Sequence, residues 1–487
     1  MNFKKFLALF VITSVSLMAV ALYNGFPLVD TDSGAYIEQA IYPHFTPERT
    51  PFYGMFVRLT CLWTSLWFTI FAQCLILAYL LLKFIGRFTV GSFQSAVRSS
   101  QLAVGGNESA VSKSNTIEDA SVFNFSLIAV ITIISFTCVS WVVSYLMPDV
   151  FGAILLVSTI LFITEKEDNL KPQAIYMFFV FVAMLMHNSH FPILLLFSLV
   201  LLVWALAKKQ KPVLKKSITL IAVCGLVWGI MCGMNVVKKH GFTFSRGRDI
   251  MLVAKFAEAG ILNTYLDDNC GKKPLQMCNY KNQIPGNINE FLTSGEGPML
   301  KMGGWDSNRV EYQTIVRDVF TTPRYLSMFA QKSVTGTLKQ ITQINAPDKV
   351  NAQGKDSETW SKVKKYFADE LPAYATSLQN SNAFSGGSCN FFYYLFLVLS
   401  SLWVLLFYTS VMNKHVAFIY CCILLFLVVN AFVTASLFAI TYRFQYRIAW
   451  LLPATNAIVI LKYYYYKEAS SANFAPSLAG TPKERVK

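Results

Sequence analysis

The chain has 487 residues, 54% of them hydrophobic and 14% charged, and apolar stretches of membrane-spanning length recur along it. These values exclude an ordinary soluble protein. They predict an all-α polytopic membrane protein with about ten transmembrane helices. The net charge of +15 would suit a nucleic-acid-binding protein. However, the lysines form short clusters beside apolar stretches, as in cytoplasmic loops, so we expect no nucleic-acid partner.

The first predicted span, Phe6 to Tyr23, follows Lys4 and Lys5 and ends in Ala-Val-Ala at 19–21, so a cleaved signal peptide is the alternative to a retained helix. Both alternatives place the first outer loop, residues 24–55, on the non-cytoplasmic side of the membrane. This loop carries Asp30 and Asp32. A carboxylate held against hydrocarbon is partly desolvated, which suits a general base or a metal ligand. Capping of the helix that starts at Ser33 is the simpler alternative.

Six further spans complete an N-terminal transmembrane module, residues 1–237. They are predicted near 56–82, 123–146, 150–163, 174–186, 191–207 and 218–237. The polar segment between the second and third spans, residues 83–122, is rich in Ser, Gly and Asn and is expected to be a flexible cytoplasmic loop. The Met147-Pro-Asp149 turn predicts an antiparallel hairpin of the third and fourth spans.

The long polar region 238–388 exceeds the length of a connecting loop and is predicted to be a mostly helical, extracytoplasmic soluble domain. A C-terminal transmembrane module, residues 389–466, follows, with spans near 391–411, 416–440 and 449–463. The basic segment 467–487 is expected to be a cytoplasmic tail. This arrangement predicts a multi-pass protein of the bacterial inner (cytoplasmic) membrane with both termini in the cytoplasm.

Several motifs together resemble the C-type membrane glycosyltransferases (GT-C). Asp32-Ser-Gly-Ala-Tyr36 follows the first span, and Arg49-Thr-Pro-Phe-Tyr53 leads into the second. The family places an acid and, four positions later, an aromatic residue in this loop, then an Arg-Pro-Pro-x-Tyr-Pro-like entry to the next span. The Met-Pro-Asp turn and the Tyr442-Arg-Phe444 segment are also similar. The chain departs from the pattern in having Arg-Thr-Pro, and no acid directly follows Asp32.

The resemblance implies transfer of a sugar from a polyprenyl-phosphate donor to a lipid, glycan or protein acceptor on the extracytoplasmic face. Asp32 matches the family position of the base that accepts the acceptor's hydroxyl proton, and Asp30 is the second candidate. The departing phosphate needs cationic hydrogen-bond donors. The candidates for this role are Arg49, Arg246, Arg248, Arg443 and Arg447. Binding of membrane-lipid headgroups is the alternative for each arginine.

Three further features carry alternatives of their own. His187 and His190 flank a tight turn, where they could contact substrate or metal or be structural, and Trp305 in a Gly-rich loop could stack on a sugar or belong to a plain turn. Cys270 and Cys278 are expected to form a structural disulfide on an oxidising face. A divalent cation bound by the first-loop acids is left open, and no other cofactor is expected.

Two other functions are compatible with the sequence. A transporter or flippase of lipid-linked glycans predicts charged residues at mid-membrane depth, whereas most charges here stop at the ends of spans, with exceptions such as Arg58. A membrane acyltransferase would use His187 or His190 as its catalytic base. It would need that histidine in a chamber that an acyl donor can enter.

Overall fold

The structure is a computed structural model that describes residues 2–44, 46–103, 108–305, 307–347 and 350–472, without the side chains of 89–119 and of residues beyond 465. Asp306 and most of the predicted tail, residues 473–487, therefore lie outside the described residues. Within the described ranges the secondary structure is helical, and β-pairing is limited to two isolated bridges. The predicted all-α class is confirmed for this part of the chain.

Eleven α-helices form the first half of the described chain: α1 Phe3–Leu17, α2 Ala19–Asn24, α3 Ser33–Ile41, α4 Phe52–Thr60, α5 Trp67–Ala103, α6 Glu108–Phe136, α7 Val139–Ser144, α8 Val150–Thr164, α9 Leu170–Met186, α10 His190–Ala207 and α11 Lys211–Val237.

The second half continues with α12 Arg248–Glu258, α13 Ile261–Asn269, α14 Ile288–Thr293, α15 Pro298–Lys301, α16 Arg309–Thr321, α17 Pro323–Ile341, α18 Glu358–Tyr366, α19 Leu371–Thr376, α20 Gly387–Leu406, α21 Tyr408–Val411, α22 Lys414–Leu437, α23 Tyr442–Ala449 and α24 Leu451–Ala472, and with 3-10 helices at Gln276–Gln283 and Ala368–Glu370.

Five described helical segments are long and apolar enough to cross a membrane: Trp67–Phe88 of α5, and α10, α11, α20 and α22. Shorter apolar segments are Ala120–Phe136 of α6, α8 and α9. The chain is therefore a membrane-embedded helical protein. The predicted first span is divided at Met18 into α1 and α2.

The predicted second span is wrong at its start, because α4 ends before α5 begins at Trp67. Leu62 and Trp63 between them have φ angles of 50° and 60°, in a region that non-glycine residues rarely adopt. The carboxylate of Glu370 accepts hydrogen bonds from the Ser65 hydroxyl, at 2.5 Å, and from the Leu66 N–H, at 3.2 Å. A negative charge at this helix start compensates the unpaired N–H groups of α5.

The polar segment predicted as a flexible loop is helical on both sides of its undescribed part. Helix α5 continues to Ala103 and α6 starts at Glu108. The segment contains no proline, and extending an existing helix is far easier than starting one. Polar composition alone therefore did not reveal this helical backbone.

The predicted soluble domain divides into two parts. Residues between Ile250 and Tyr325 form their own hydrophobic cluster, and we call residues 248–329 the lobe. By contrast, Ala346, Val350, Val363 and Tyr374 join the large core of the transmembrane helices. We call residues 344–384, excluding 348–349, the strap. The prediction of a single domain missed this division because the strap buries its apolar residues against a distant part of the chain.

A short parallel pairing fixes the first loop beside the start of α8. The Leu28 N–H donates to the Ser144 carbonyl at 2.9 Å, and the Leu146 N–H donates to the Leu28 carbonyl at 2.8 Å. The Ser33 hydroxyl donates to the Leu146 carbonyl at 3.1 Å. These bonds bring residues 28–33 next to 144–149. We call this end of the helix bundle the loop end.

Candidate functional site

Three carboxylates and three guanidinium groups meet at the loop end. They come from the first loop, from the start of α8 and from α23, which lie far apart in the sequence. Their side chains belong to Asp30, Asp32, Asp149, Arg49, Arg443 and Arg447. We call these six residues the charged cluster. The structure therefore brings together five of the residues that the sequence singled out, and adds Asp149.

Arg443 is the centre of the charged cluster. Its Nη1 lies 3.3 Å from Asp30 Oδ2, its Nη2 lies 3.1 Å from Asp32 Oδ2, and its Nε lies 3.2 Å from Asp149 Oδ2. Its side chain is 19% exposed. One planar guanidinium group thus holds three acids in place while it stays within reach of solvent.

Arg49 is the second partner of Asp32. Its Nη2 donates to Asp32 Oδ1 at 2.6 Å, and its Nη1 donates to Glu48 Oε1 at 2.5 Å. Its guanidinium also lies 5.9 Å from the centre of the Tyr36 ring, which packs edge-on against Tyr53. The residues that carried the family resemblance in the first loop therefore contact one another.

Arg447 lies beneath Arg443 and is completely buried. Its Nη1 is 3.4 Å from Asp149 Oδ1, and its Nη2 donates to Ser189 Oγ and Asn430 Oδ1, each at 3.2 Å. A Cβ placed on Gly152 would come within 3.0 Å of the Arg447 Cδ and Nε atoms. Glycine at this position therefore leaves room for the arginine.

Asn430 of α22 fixes the start of α23, which carries both arginines. Its Nδ2 donates to the Phe444 carbonyl at 2.7 Å and to Gln445 Oε1 at 2.8 Å. The Trp450 indole N–H donates to the Arg447 carbonyl at 3.0 Å. These bonds satisfy buried polar groups, so they fix the direction of the two guanidinium groups.

Asp32 is strongly acidic in this arrangement. Burial raises its pKa, but Arg443 and Arg49 outweigh this effect and lower the pKa to about 2. The sequence had predicted the opposite direction, from desolvation alone. The expectation failed because the arginine partners were not visible in the sequence. In this paired state Asp32 is a weak proton acceptor.

The Asp32 carboxylate does not cap the helix that begins at Ser33. It occupies the position before α3 but accepts no hydrogen bond from the first-turn N–H groups. Asp30 instead accepts from the Thr31 N–H at 2.7 Å, and the Ser33 hydroxyl accepts from the Asp30 N–H at 2.9 Å. Capping therefore does not account for either acid's side chain.

A small cavity, the size of about one water molecule, opens against the charged cluster. Its wall combines two acids and one arginine with three tyrosines and a methionine: Asp30, Asp149, Arg443, Tyr145, Tyr442, Tyr446 and Met147. Its wall includes a guanidinium group of the kind that binds phosphate, but the cavity itself holds no more than a water-sized molecule.

The histidine turn lies beside Arg447. His187 Nδ1 accepts from the Ser189 N–H at 3.1 Å, and its ring centre is 6.0 Å from that of Phe444. Burial, followed by the nearby His190 and Arg447, lowers the pKa of His187 well below its usual value, which keeps the ring neutral. His190 is completely buried, with its Nδ1 bonded to the Ala183 carbonyl at 2.7 Å. These contacts support a structural role for the turn.

The described partners of Arg246 and Arg248 lie outside the charged cluster. Arg246 Nη1 is 3.2 Å from His240 Nε2, and Arg248 Nε donates to Asp249 Oδ1 at 2.9 Å. The Gly247 N–H between them donates to the Pro47 carbonyl at 2.9 Å, so this segment contacts the first loop. The two arginines flank that contact.

Trp305 packs against the hydrophobic cluster of the lobe, and its ring lies next to Gly247. The adjacent Gly303 and Gly304 have φ angles of 97° and 89°, as tight turns require. These contacts favour the alternative of a plain turn.

Elsewhere in the lobe, Cys270 and Cys278 form a disulfide that closes a short loop.

The acids of the charged cluster are paired with arginines, which bears on the divalent cation that the sequence left open. Among the residues the structure describes, no group of three or more His, Cys, Asp or Glu side chains is placed to share an ion. The available carboxylates of Asp30, Asp32 and Asp149 each face a guanidinium group. The donor set therefore does not fit a bound cation, and no step is assigned to one.

The sequence missed Asp149, Ser189 and Asn430 as parts of the site. Asp149 had a signal, the Met-Pro-Asp turn, but the turn was interpreted for topology and family resemblance, and no role was given to Asp149 itself. Ser189 and Asn430 had none, because single polar residues beside apolar stretches are common. Comparison of the chain with protein-family models, with curated proteins and with solved structures gives no match.

Proposed function

We propose that the chain is an integral membrane glycosyltransferase of the GT-C type, which transfers a sugar from a polyprenyl-phosphate donor to a lipid, glycan or protein acceptor. The observation that carries the proposal is the position of Asp32 between Arg49 and Arg443, at 2.6 Å and 3.1 Å. One carboxylate and two guanidinium groups at a membrane surface are the groups needed for a hydroxyl acceptor and a phosphate leaving group.

The proposal includes a topology. The loop end and the lobe lie outside the cytoplasm, both termini lie inside, and about ten spans cross the bacterial inner membrane. The opposite end of the bundle carries the basic residues Lys83, Lys208, Lys209 and Lys414, as cytoplasmic ends do. Donor and acceptor then meet at the extracytoplasmic surface.

The reaction begins with competition for the arginines. The donor phosphate pairs with Arg443 and Arg49, which withdraws their positive charges from Asp32. Because these charges hold the pKa of Asp32 near its low value of about 2, their loss leaves burial as the remaining influence and raises the pKa. Asp32 thereby becomes a better proton acceptor only when donor is bound.

In the transfer step, the acceptor hydroxyl oxygen attacks the anomeric carbon of the donor sugar. The bond between that carbon and the phosphate oxygen breaks, and its electron pair leaves with polyprenyl phosphate. The hydroxyl proton passes to Asp32. Arg443 and Arg49 stabilise the additional negative charge on the phosphate. Buried Asp149, which is paired with Arg447, keeps the Arg443 guanidinium oriented.

Two observations weigh against the other functions. The completely or nearly buried charged side chains in the described residues are Asp149, Glu165, Lys216, Asp249, Lys255 and Arg447, and these lie at ends of the apolar helices, in α23 or in the lobe. A transporter predicts such charges at mid-depth. Arg58, the exception in the sequence, belongs to α4 and donates to the Ala40 and Ile41 carbonyls. Against the acyltransferase alternative, His190 is enclosed, and the His187 ring contacts Ser189 and Phe444.

The test compares envelope glycans and lipid-linked glycans of a strain lacking the protein with strains expressing the wild type, Asp32→Asn or Arg443→Gln. We expect one glycan product to disappear in the deletion strain and in both variants, at unchanged protein level. Asp267→Asn, an exposed lobe residue paired with Lys281, is the matched control and should restore the product. Normal product with Asp32→Asn would remove this residue from the mechanism and the proposal with it.

A further inference from the structure

An apolar groove runs between α10, α17 and α22. It has a volume of about 400 Å³, within the range of lipid- and ligand-sized sites. All of its lining side chains are aliphatic or aromatic except Thr337: Leu196, Val200, Val334, Leu338, Ile341, Leu425, Val428, Val429 and Phe432. Two of its walls, α10 and α22, are membrane-span candidates. The groove therefore opens at membrane depth.

The third wall, α17, is amphipathic. Leu326, Ala330, Val334 and Leu338 recur every four residues on one exposed side, while Lys332 and Lys339 lie on another. Helix α17 packs closely on α22, because a Cβ placed on Gly336 would lie only 3.3 Å from the Ala435 Cβ. The sequence had assigned α17 to a soluble domain. Its exposed apolar side and its packing on α22 fit a helix that lies against the hydrocarbon.

The groove connects to the charged cluster through Gln340, which lies on the same helical turn as Thr337, Leu338 and Ile341. Its side chain donates to the Thr441 carbonyl at 2.7 Å and accepts from the Thr441 N–H at 2.9 Å. Thr441 precedes α23, which carries Arg443. These two hydrogen bonds join one wall of the groove to the segment that carries the partly exposed Arg443 guanidinium.

This combination selects an amphiphile with an anionic head and a long apolar tail. We propose that the groove holds the isoprenoid chain of the lipid-linked donor, with its phosphate at Arg443. The inference rests on the proposed function and identifies the part of the chain that recognises the carrier lipid. Contacts along the groove stabilise a long chain more than a short one, because each buried methylene adds to the binding free energy.

The test measures binding of polyprenyl phosphate without sugar to the full chain in phosphatidylethanolamine and phosphatidylglycerol nanodiscs, by native mass spectrometry. A short-chain and a long-chain polyprenyl phosphate are compared. Leu338→Trp and Val334→Trp fill the groove at positions that are 64% and 58% exposed. Leu402→Trp, on α20 and 51% exposed, is the matched control outside the groove. Melting temperatures show that each variant folds.

We expect both groove variants to bind the long-chain phosphate about tenfold more weakly and the short-chain phosphate as the wild type does. The control should match the wild type for both. Unchanged long-chain affinity in both groove variants would overturn the inference and leave the proposed function standing. An equal loss of phosphatidylglycerol binding would overturn it too, because the groove would then hold ordinary lipids. Failure of the wild type to bind either phosphate would overturn the proposed function itself.

Discussion

Asp32 stands between two guanidinium groups, and this pairing makes its contribution to stability depend on pH. Its pKa in the folded protein, about 2, lies below the ordinary value of 3.8. Ionised Asp32 therefore stabilises the fold above about pH 4, and this contribution is lost as the pH falls through about 2. The shift corresponds to roughly 2 kcal/mol for a side chain that is mostly buried.

We therefore expect Asp32→Asn to lower the melting temperature of the purified protein at pH 7, by an amount that shrinks as the pH falls from about 4 to about 2. The measurement is thermal unfolding in detergent across this range. Asp267→Asn, whose side chain is 62% exposed, should unfold like the wild type throughout. A difference that stays constant down to pH 2 would show that the arginines do not hold Asp32 in its ionised form.

At the scale of elements, α18 of the strap packs against α3 and fixes the turn that carries Asp30 and Asp32. The Thr359 hydroxyl accepts from the Gly34 N–H at 3.0 Å and donates to the Asp30 carbonyl at 3.1 Å. Lys362 pairs with Glu38 at 2.5 Å, and Gln379 bonds to both the N–H and the carbonyl of Val29. The strap therefore contributes to the site without placing a side chain among the six charged groups.

Gly34→Ala should separate these two helices, because its Cβ would lie 2.7 Å from the Thr359 backbone nitrogen, too close for any side-chain adjustment. We expect faster hydrogen exchange in residues 357–366 and about 1–3 kcal/mol lower stability. Gly354→Ala is the control, since nothing lies within 4 Å of a Cβ there. Unaltered exchange in Gly34→Ala would mean that the strap does not depend on this contact.

Across the whole molecule, sequence reasoning succeeded where local patterns decide the structure. Apolar stretches predicted the apolar helices of the bundle, among them α8, α10 and α22, since burial in lipid requires long runs of such residues. The partner of Asp32 was different. Arg443 is 411 residues away in the chain, and no local pattern encodes a contact of that kind. The strap was missed for the same reason, because its apolar residues pack against residues distant in the sequence, such as Phe26 and Trp141.

The ends of the bundle differ in charge, and this difference predicts the orientation of the whole molecule. The lysines of residues 208–216 sit at the end opposite to the charged cluster, and basic segments stay in the cytoplasm. Cys389 is an exposed free thiol near the start of α20, at the loop end. Of the other free cysteines in the described residues, only Cys421 is exposed, and it lies within the apolar helix α22.

A membrane-impermeant maleimide should therefore label the wild type in intact cells at Cys389. Cys389→Ser should abolish this labelling. Adding Lys209→Cys to that variant should give a protein that reacts only after the membrane is permeabilised, because its thiol lies in the basic turn between α10 and α11. Labelling of the Cys389→Ser, Lys209→Cys protein in intact cells would invert the topology. The charged cluster would then face the cytoplasm, and the proposed sugar transfer on the extracytoplasmic face could not occur there.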